Sequence, residues 1–227
     1  MALFRVKICG ITDVHDAIAV ANAGADAVGL NFYEGSPRFV TQSQARQIAA
    51  ALPTHMAKVG VFVNSPADEV ARLCDEVGLD VVQLHGDEPP KILGMLAPRV
   101  IVRAFRCGES GFEPVIDYVG RCREAGHAPA AVLVDAYQPG SYGGTGAVVD
   151  WHQVPELAIR LPDTPIVLAG GLRPENVAEA IRVAHPAAVD TASGVESSPG
   201  RKDPNLVRDF VRNALAAFDL SDNRSAT

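Results

Sequence analysis

Phe4-Arg5-Val6-Lys7-Ile8-Cys9-Gly10, Ala131-Val132-Leu133-Val134-Asp135, Pro165-Ile166-Val167-Leu168-Ala169-Gly170-Gly171 and Ala187-Ala188-Val189-Asp190 share one construction. Each is a short apolar run that stops at a reactive side chain, a glycine turn or both. Runs this continuously apolar suit parallel strands covered on both faces. Strand ends that carry functional groups and lie scattered along the whole chain imply strands opening onto one shared mouth, the arrangement of a barrel.

Working outward from these four runs, apolar and β-branched segments recur near Arg5–Ile8, Ala27–Leu30, Lys58–Val63, Val81–Leu84, Val100–Ala104, Ala131–Val134, Ile166–Ala169 and Ala187–Val189. Between them lie helical stretches rich in Ala, Glu, Arg and Leu: Val14–Ala23, Gln42–Ala51, Ala67–Val77, Pro89–Leu96, Pro114–Ala125, Trp151–Arg160, Pro174–Ala184 and Pro204–Phe218. Thr12-Asp13, Thr41, Ser65-Pro66 and Arg173-Pro174 read as helix starts, and Gly24, Gly78 and Gly126 as helix stops. Eight strands alternating with eight helices define an α/β chain, read as a single (β/α)8 TIM barrel over residues 1–220 with a frayed tail at 221–227. A doubly wound open sheet alternates in the same way, but it gathers its ligand at one switch point. Here the chemistry comes from the first, second, sixth, seventh and eighth strands, which favours the barrel. No composition break marks a second domain.

The 227 residues suit one such domain, and 48% apolar content excludes a disordered chain. No apolar run approaches the ~20 residues that span a bilayer, and the N-terminal segment reads as a strand rather than a signal peptide. Cys9, Cys74, Cys107 and Cys122 show neither paired nor metal-type spacing, so a reducing, cytoplasmic setting is expected. A net charge of −7 argues against nucleic acid as a partner. No metal is expected, because His15, His55, His127, His152 and His185 show no ligand spacing.

Leu168-Ala169-Gly170-Gly171-Leu172-Arg173-Pro174 ends a strand and enters a helix, and Val189-Asp190-Thr191-Ala192-Ser193-Gly194-Val195-Glu196 reads similarly one unit later. Glycines admit close approach of backbone N–H groups, and a helix N-terminus favours an anion. The loops after strands seven and eight are the recurring phosphate cradle of barrels, so Gly170, Gly171, Asp190, Ser193 and Gly194 are candidate binding residues. The alternative is a tight turn at Gly170-Gly171 and a plain cap at Ser193. The glycine-rich segment Gln138–Gly146 reads as a mobile lid or as an ordinary surface loop.

Cys9 and Asp135 are the candidate proton carriers. A thiolate removes a proton from carbon well once its pKa of ~8.5 is lowered by a nearby cation. Lys7 lies two residues earlier on the same strand face and either does this or is locked in a buried ion pair. Taken alone, Cys9 also fits a small core residue, and Asp135 a cap or ion pair. Arg38, in Ser36-Pro37-Arg38 after the second strand, suits a bidentate carboxylate clamp or a surface position. His85, ending the fourth strand, lines the mouth or serves as a hydrogen-bonding structural residue. Trp151 reads as a packing anchor.

Taken together, the motifs resemble the phosphoribosylanthranilate isomerase family of tryptophan biosynthesis. The match runs nearly end to end, through Lys7-Ile8-Cys9-Gly10-Ile11-Thr12, Gly29-Leu30-Asn31-Phe32, Ser36-Pro37-Arg38, Val59–Asn64, Val82-Gln83-Leu84-His85-Gly86-Asp87-Glu88, Leu133-Val134-Asp135, Gly143-Gly144-Thr145-Gly146, Leu168–Leu172 and Ser193-Gly194-Val195-Glu196. The resemblance implies Cys9 as general base, Asp135 as general acid, Arg38 on the anthranilate carboxylate and the two glycine turns on the ribose phosphate. It implies an Amadori rearrangement of N-(5-phosphoribosyl)anthranilate, without a cofactor, on a small phosphosugar substrate; a monomer and a homodimer are both compatible with the sequence. Asp190-Thr191-Ala192-Ser193 departs from the family's usual Asp-Val-Ser-Ser, and Ala192 removes a hydroxyl near the phosphate loop. Two other readings stay open: another phosphosugar-processing barrel enzyme, and a non-catalytic barrel that keeps only its phosphate site.

Overall fold

The computed structural model describes residues 3–107, 111–136 and 150–225. Eight parallel strands close a barrel in sequence order: β1 (Val6–Cys9), β2 (Ala27–Asn31), β3 (Ala57–Phe62), β4 (Val81–Leu84), β5 (Val100–Cys107), β6 (Ala131–Ala136), β7 (Ile166–Leu168) and β8 (Ala188–Thr191), with β8 pairing back onto β1. The helices are α1 (Val14–Asn22), α2 (Gln42–Ala51), α3 (Ala67–Val77), α4 (Lys91–Leu96), α5 (Glu113–Glu124), α6 (Val154–Arg160), α7 (Val177–Ala184) and α8 (Pro204–Ser225). The barrel, not the open sheet, is therefore the architecture.

Local chemistry sets these boundaries. Asp13 caps α1 by accepting from the Asp16 N–H, and Thr41 and Gln44 form a reciprocal capping box on α2. Gly78 ends α3 with φ of 76°, a left-handed conformation that costs a residue with a Cβ far more. α7 starts at Val177, three residues beyond the expected Pro174. Asn176 causes the delay: its side chain accepts from the Arg173 N–H and donates to the Gly171 carbonyl, so Arg173–Asn176 forms a turn first. α8 continues through Ser225, so the frayed tail expected from residue 221 is helical to that point.

Period-two alternation sorts each strand's side chains between two cores. Val6, Ile8, Val28, Leu30, Val132, Val134, Leu168 and Val189 face outward, into the layer shared with the helices. Ala27, Val59, Val81, Val102, Leu133, Val167 and Ala188 fill the barrel's interior. Continuing the inward lines toward the strands' C-terminal ends puts Lys7 and Cys9, Gln83 and His85, Asp135, Ala169 and Asp190 at one mouth. β5 and β6 outrun their apolar segments because the ladder continues through the polar pair Arg106↔Asp135.

One element has no counterpart in the sequence reading. After β8 the chain makes a three-residue 3-10 turn, Ser193–Val195, and then an antiparallel hairpin, β9 (Glu196–Ser198) and β10 (Arg201–Lys202), before α8. α8 starts at Pro204, where the sequence places it, so the 3-10 turn and the hairpin rather than a helix N-terminus follow β8 directly. Short polar strands bearing Ser-Ser-Pro-Gly lack the apolar alternation that announces a strand.

Candidate active site

The barrel mouth holds a cavity of about 70 Å³, lined by Cys9, Arg38, His85, Asp135, Gly170, Gly171, Asp190 and Ser193, among others. Every candidate site residue except Gly194 borders this one space. The expected lid at Gln138–Gly146 lies outside the described residues.

Cys9 occupies the inward face of β1 directly beside Gly29 of β2. A Cβ on Gly29 would stand 2.6 Å from the Cys9 sulfur, so glycine there makes room for the thiol. Lys7 lies below Cys9, wholly buried, with Nζ 2.9 Å from Asp190 Oδ2 on the paired position of β8. Lys7 is thus both things considered for it: ion-paired, and close enough to act on the sulfur. Burial works against the Lys7 ammonium, but Asp190 and Cys9 outweigh it and hold its pKa above the usual lysine value. Burial also pushes the Cys9 thiol up, with Lys7 pulling the other way, so the resting residue is a protonated thiol. Asp190 is raised by burial, against the opposing pull of Lys7. Its second oxygen, Oδ1, is buried with no hydrogen-bond partner among the described residues, and Asp190 borders the cavity.

Asp135 ends the inward line of β6 and is buried. His85 Nε2 stands 3.5 Å from Asp135 Oδ2. Gln83 Nε2 contacts His85 Nδ1 at 3.2 Å. An amide nitrogen only donates, so Nδ1 accepts and a neutral His85 carries its proton on Nε2, facing the aspartate. His85 itself sits on a loop fixed from below. Glu88 accepts from the Gly86 and Asn64 N–H groups, and Arg103 donates to the carbonyls of Leu84 and Gly86.

The two glycine turns meet at one carbonyl. The Thr191 hydroxyl donates to Leu172 O at 2.8 Å, and a Cβ on Gly194 would stand 1.9 Å from the same oxygen. Gly194 therefore lies behind the wall rather than in it, and its missing side chain lets the turns close-pack. Gly170 and Gly171 have φ of 85° and 65°. Among the described residues no acceptor takes the N–H of Gly171 or of Ser193. Because a 3-10 turn follows β8, the anion-binding capacity of that side rests on individual N–H groups rather than on a helix end.

Arg38 borders the cavity with one edge of its guanidinium engaged by the protein: Nε and Nη2 each donate to Glu196 at 2.8 Å. That hydrogen bonding raises the Arg38 pKa further. Glu196 also accepts from Lys202 at 2.8 Å. Sequence reading missed Glu196 and Lys202 because their partner lies far away in the chain and their strands are short. Asp13, His15 and Asp16 cluster nearby, but Asp13 caps α1 and Asp16 Oδ2 accepts from the Lys202 N–H.

A closed barrel with a thiol, a carboxyl, a cation and two glycine turns converging at its mouth defines a (β/α)8 enzyme acting on a small anionic substrate. The family model for N-(5'-phosphoribosyl)anthranilate (PRA) isomerase matches residues 6–213. The N-(5'-phosphoribosyl)anthranilate isomerase of Geobacter metallireducens is 45% identical over 216 residues, covering 94% of this chain and 100% of that one. The enzyme of Azotobacter vinelandii is 47% identical over 218 residues, covering 96% and 100%. Among solved structures, phosphoribosyl anthranilate isomerase from Thermotoga maritima superposes with a TM-score of 0.83 at 36% identity, covering 94% of this chain and all of that one. A phosphoribosyl anthranilate isomerase in complex with reduced 1-(o-carboxyphenylamino)-1-deoxyribulose 5-phosphate gives 0.80 at 36% identity and the same coverage. The chain belongs to the phosphoribosylanthranilate isomerase family.

Proposed function

We propose that this barrel converts N-(5-phosphoribosyl)anthranilate into 1-(2-carboxyphenylamino)-1-deoxyribulose 5-phosphate, with Cys9 and Asp135 moving the protons. The observation that carries the reading is their joint presence on one cavity, on β1 and β6, three strands apart around the closed barrel. Asp135 gives a proton to the furanose ring oxygen as the C1–O bond breaks, leaving an iminium between ribose C1 and the anthranilate nitrogen. Cys9 then takes the proton from C2, and the C2–H electrons flow into the iminium to form an enolamine. Tautomerisation to the ketone completes the rearrangement. The iminium is the electron sink, so the reading needs no cofactor and no metal.

The competent form carries its proton on Asp135 and its negative charge on Cys9. Burial disfavours that charge, and the Lys7 ammonium favours it, so Lys7 sets how much of the enzyme is competent. The phosphate lies on the N–H groups of Gly171 and Ser193, with Gly194 packed behind them, and Ala192 removes a side-chain hydroxyl but no backbone donor. Asp190 Oδ1 and His85 face the ribose, and Arg38 takes the anthranilate carboxylate. A cytoplasmic setting suits the four cysteines, all of them free. Among the described residues no helix is long and apolar enough to cross a membrane. The oligomeric state is monomer or homodimer, and the phosphoribosylanthranilate isomerase of Thermotoga maritima is dimeric.

The test is direct: purified protein is mixed with freshly generated N-(5-phosphoribosyl)anthranilate and product formation is followed. Turnover supports the reading. Binding of the reduced product analogue without turnover would instead indicate a barrel that keeps only its phosphate site.

A further inference from the structure

The hairpin β9–β10 is anchored to the loop and first turn of α1 that follow β1, and it packs closely against the loop after β2. The Thr12 hydroxyl donates to Gly200 O at 2.6 Å, the Lys202 N–H donates to Asp16 Oδ2 at 2.7 Å, and a Cβ on Gly200 would stand 3.1 Å from Pro37 O. These contacts bring Glu196 and Lys202 beneath Arg38. Their side chains are 4% and 0% exposed, and that of Arg38 is 12% exposed. Lys202 Nζ divides its donors between Glu196 Oε1 and the Ala192 carbonyl, 2.8 and 3.0 Å away. A charged group this deeply buried is costly unless paired, so the pairing fixes all three side chains.

Two consequences follow. First, only one edge of the Arg38 guanidinium is left. Nε and one hydrogen of Nη2 serve Glu196. Among the described residues no acceptor engages the opposite edge, Nη1 with the remaining Nη2 hydrogen. Arg38 and Ala192 both line the cavity. Second, two basic side chains share one protein carboxylate; burial pulls the Lys202 pKa down against the opposing hold of Glu196, and with Lys202 protonated the cluster carries a net positive charge at the cavity wall. Burial works against the Glu196 carboxylate, but the Arg38 hydrogen bond and Lys202 hold it below the usual glutamate range, so it stays charged near neutrality.

We infer that Glu196 and Lys202 are positioning residues that turn Arg38 into a one-edged receptor for a carboxylate on the substrate's aromatic ring: Glu196 holds the Nε–Nη2 edge, so the Nη1–Nη2 edge is the one offered. The inference deepens the proposed function and rests on it. Glu196 stays in place when substrate binds. Displacing it would strand a buried carboxylate against Lys202 alone, whereas a second carboxylate on the open edge neutralises the cluster. The hairpin that the sequence did not announce thus serves as the scaffold of a specificity element.

The experiment compares wild type, Glu196→Gln, Lys202→Met, Arg38→Ala and the Arg38→Ala/Glu196→Gln pair. The probes are the reduced product analogue and the same compound lacking the ring carboxylate. Glu196→Gln is expected to raise KM, and the dissociation constant of the carboxylated probe, by roughly tenfold while kcat changes by less than about threefold, the scale of one weakened charge-assisted contact. The probe without the carboxylate should bind wild type and Glu196→Gln alike. In the Arg38→Ala background, Glu196→Gln should add nothing further. Lys202→Met should weaken only the carboxylated probe. It serves as the second variant if Glu196→Gln does not fold.

Equal losses for both probes would show a merely structural role and overturn the inference. Tighter binding of the carboxylated probe by Glu196→Gln would overturn it too, because Glu196 would then be a competitor for the fork. If wild type binds neither probe and turns over no substrate, the proposed function itself fails. If wild type is active and Glu196→Gln is indifferent, the positioning role alone fails.

Discussion

The two sides of the mouth are built differently. On the β1–β8 side, Cys9 sits above a wholly buried ion pair, with Gly29 leaving no spare volume beside the sulfur. On the β4–β6 side, Asp135 meets His85 at 3.5 Å, too far for a well-formed hydrogen bond. The base side is over-determined and electrostatically enclosed. The acid side is lightly held and free to take a proton partner from the ligand. A carbon acid demands a base whose charge is created against burial. An oxygen leaving group demands only a proton within reach. The difference in construction matches the difference in chemical difficulty.

The largest expected effect breaks both sides separately. Cys9→Ala and Asp135→Asn should each lower kcat by about 10²-fold or more, since a placed proton carrier contributes on that scale. Substrate affinity should change much less. Steady-state kinetics on variants with wild-type circular dichroism would check this.

The wall that joins the sides comes next. Gly194→Val should nearly abolish phosphate competition or folding, because its Cβ would lie inside the Leu172 carbonyl's radius, 1.9 Å away. Ser193→Ala should be mild, since the backbone N–H is the proposed donor. Inhibition by inorganic phosphate, read beside thermal denaturation, separates the two.

Arg38→Ala is expected to weaken binding of the carboxylated product analogue by roughly tenfold to a hundredfold, within the range for losing a charge-assisted carboxylate contact. Calorimetric titration would measure it.

The smallest effect sharpens the comparison most. Lys7→Met combined with Asp190→Asn removes the buried pair as a neutral unit and avoids a stranded charge. Burial already holds the Cys9 thiol above its ordinary value, so thiolate appears only as pH rises. Lys7 is the stronger of the two opposed influences on it, lowering where Asp190 raises. Deleting both should therefore move the thiol's titration to still higher pH and lower kcat/KM at neutrality. The Cys9-dependent thiolate absorbance, taken by difference from Cys9→Ala, would show the shift. A titration that moves down would contradict the proposed role of Lys7.

The barrel was readable because its evidence is local: apolar runs of strand length, helix caps at Asp13 and Thr41, and a left-handed stop at Gly78. The inward positions of Cys9 and Asp135 were readable because alternation carries them from Ile8 and Val134 onto the interior face. What escaped depends on distant pairing. Nothing near Arg38 in sequence says that Glu196 will hold one edge of its guanidinium, and nothing near Lys7 chooses between cation and ion-pair partner until β8 is laid beside β1. The hairpin escaped for a related reason, since polar strands held by Thr12 and Asp16 have no hydrophobic signature. Helix starts slipped where proline suggested one residue and a side-chain turn, as at Asn176, imposed another.

The central claim is that Cys9 takes the proton from ribose C2 while bound substrate is open at C1. Single-turnover kinetics with substrate deuterated at C2 tests it most directly, in wild type and in folded Cys9→Ala. The account predicts that deuterium visibly slows the wild-type step and that Cys9→Ala forms no product on the same timescale. A folded Cys9→Ala that removes the C2 hydrogen at the wild-type rate would contradict it.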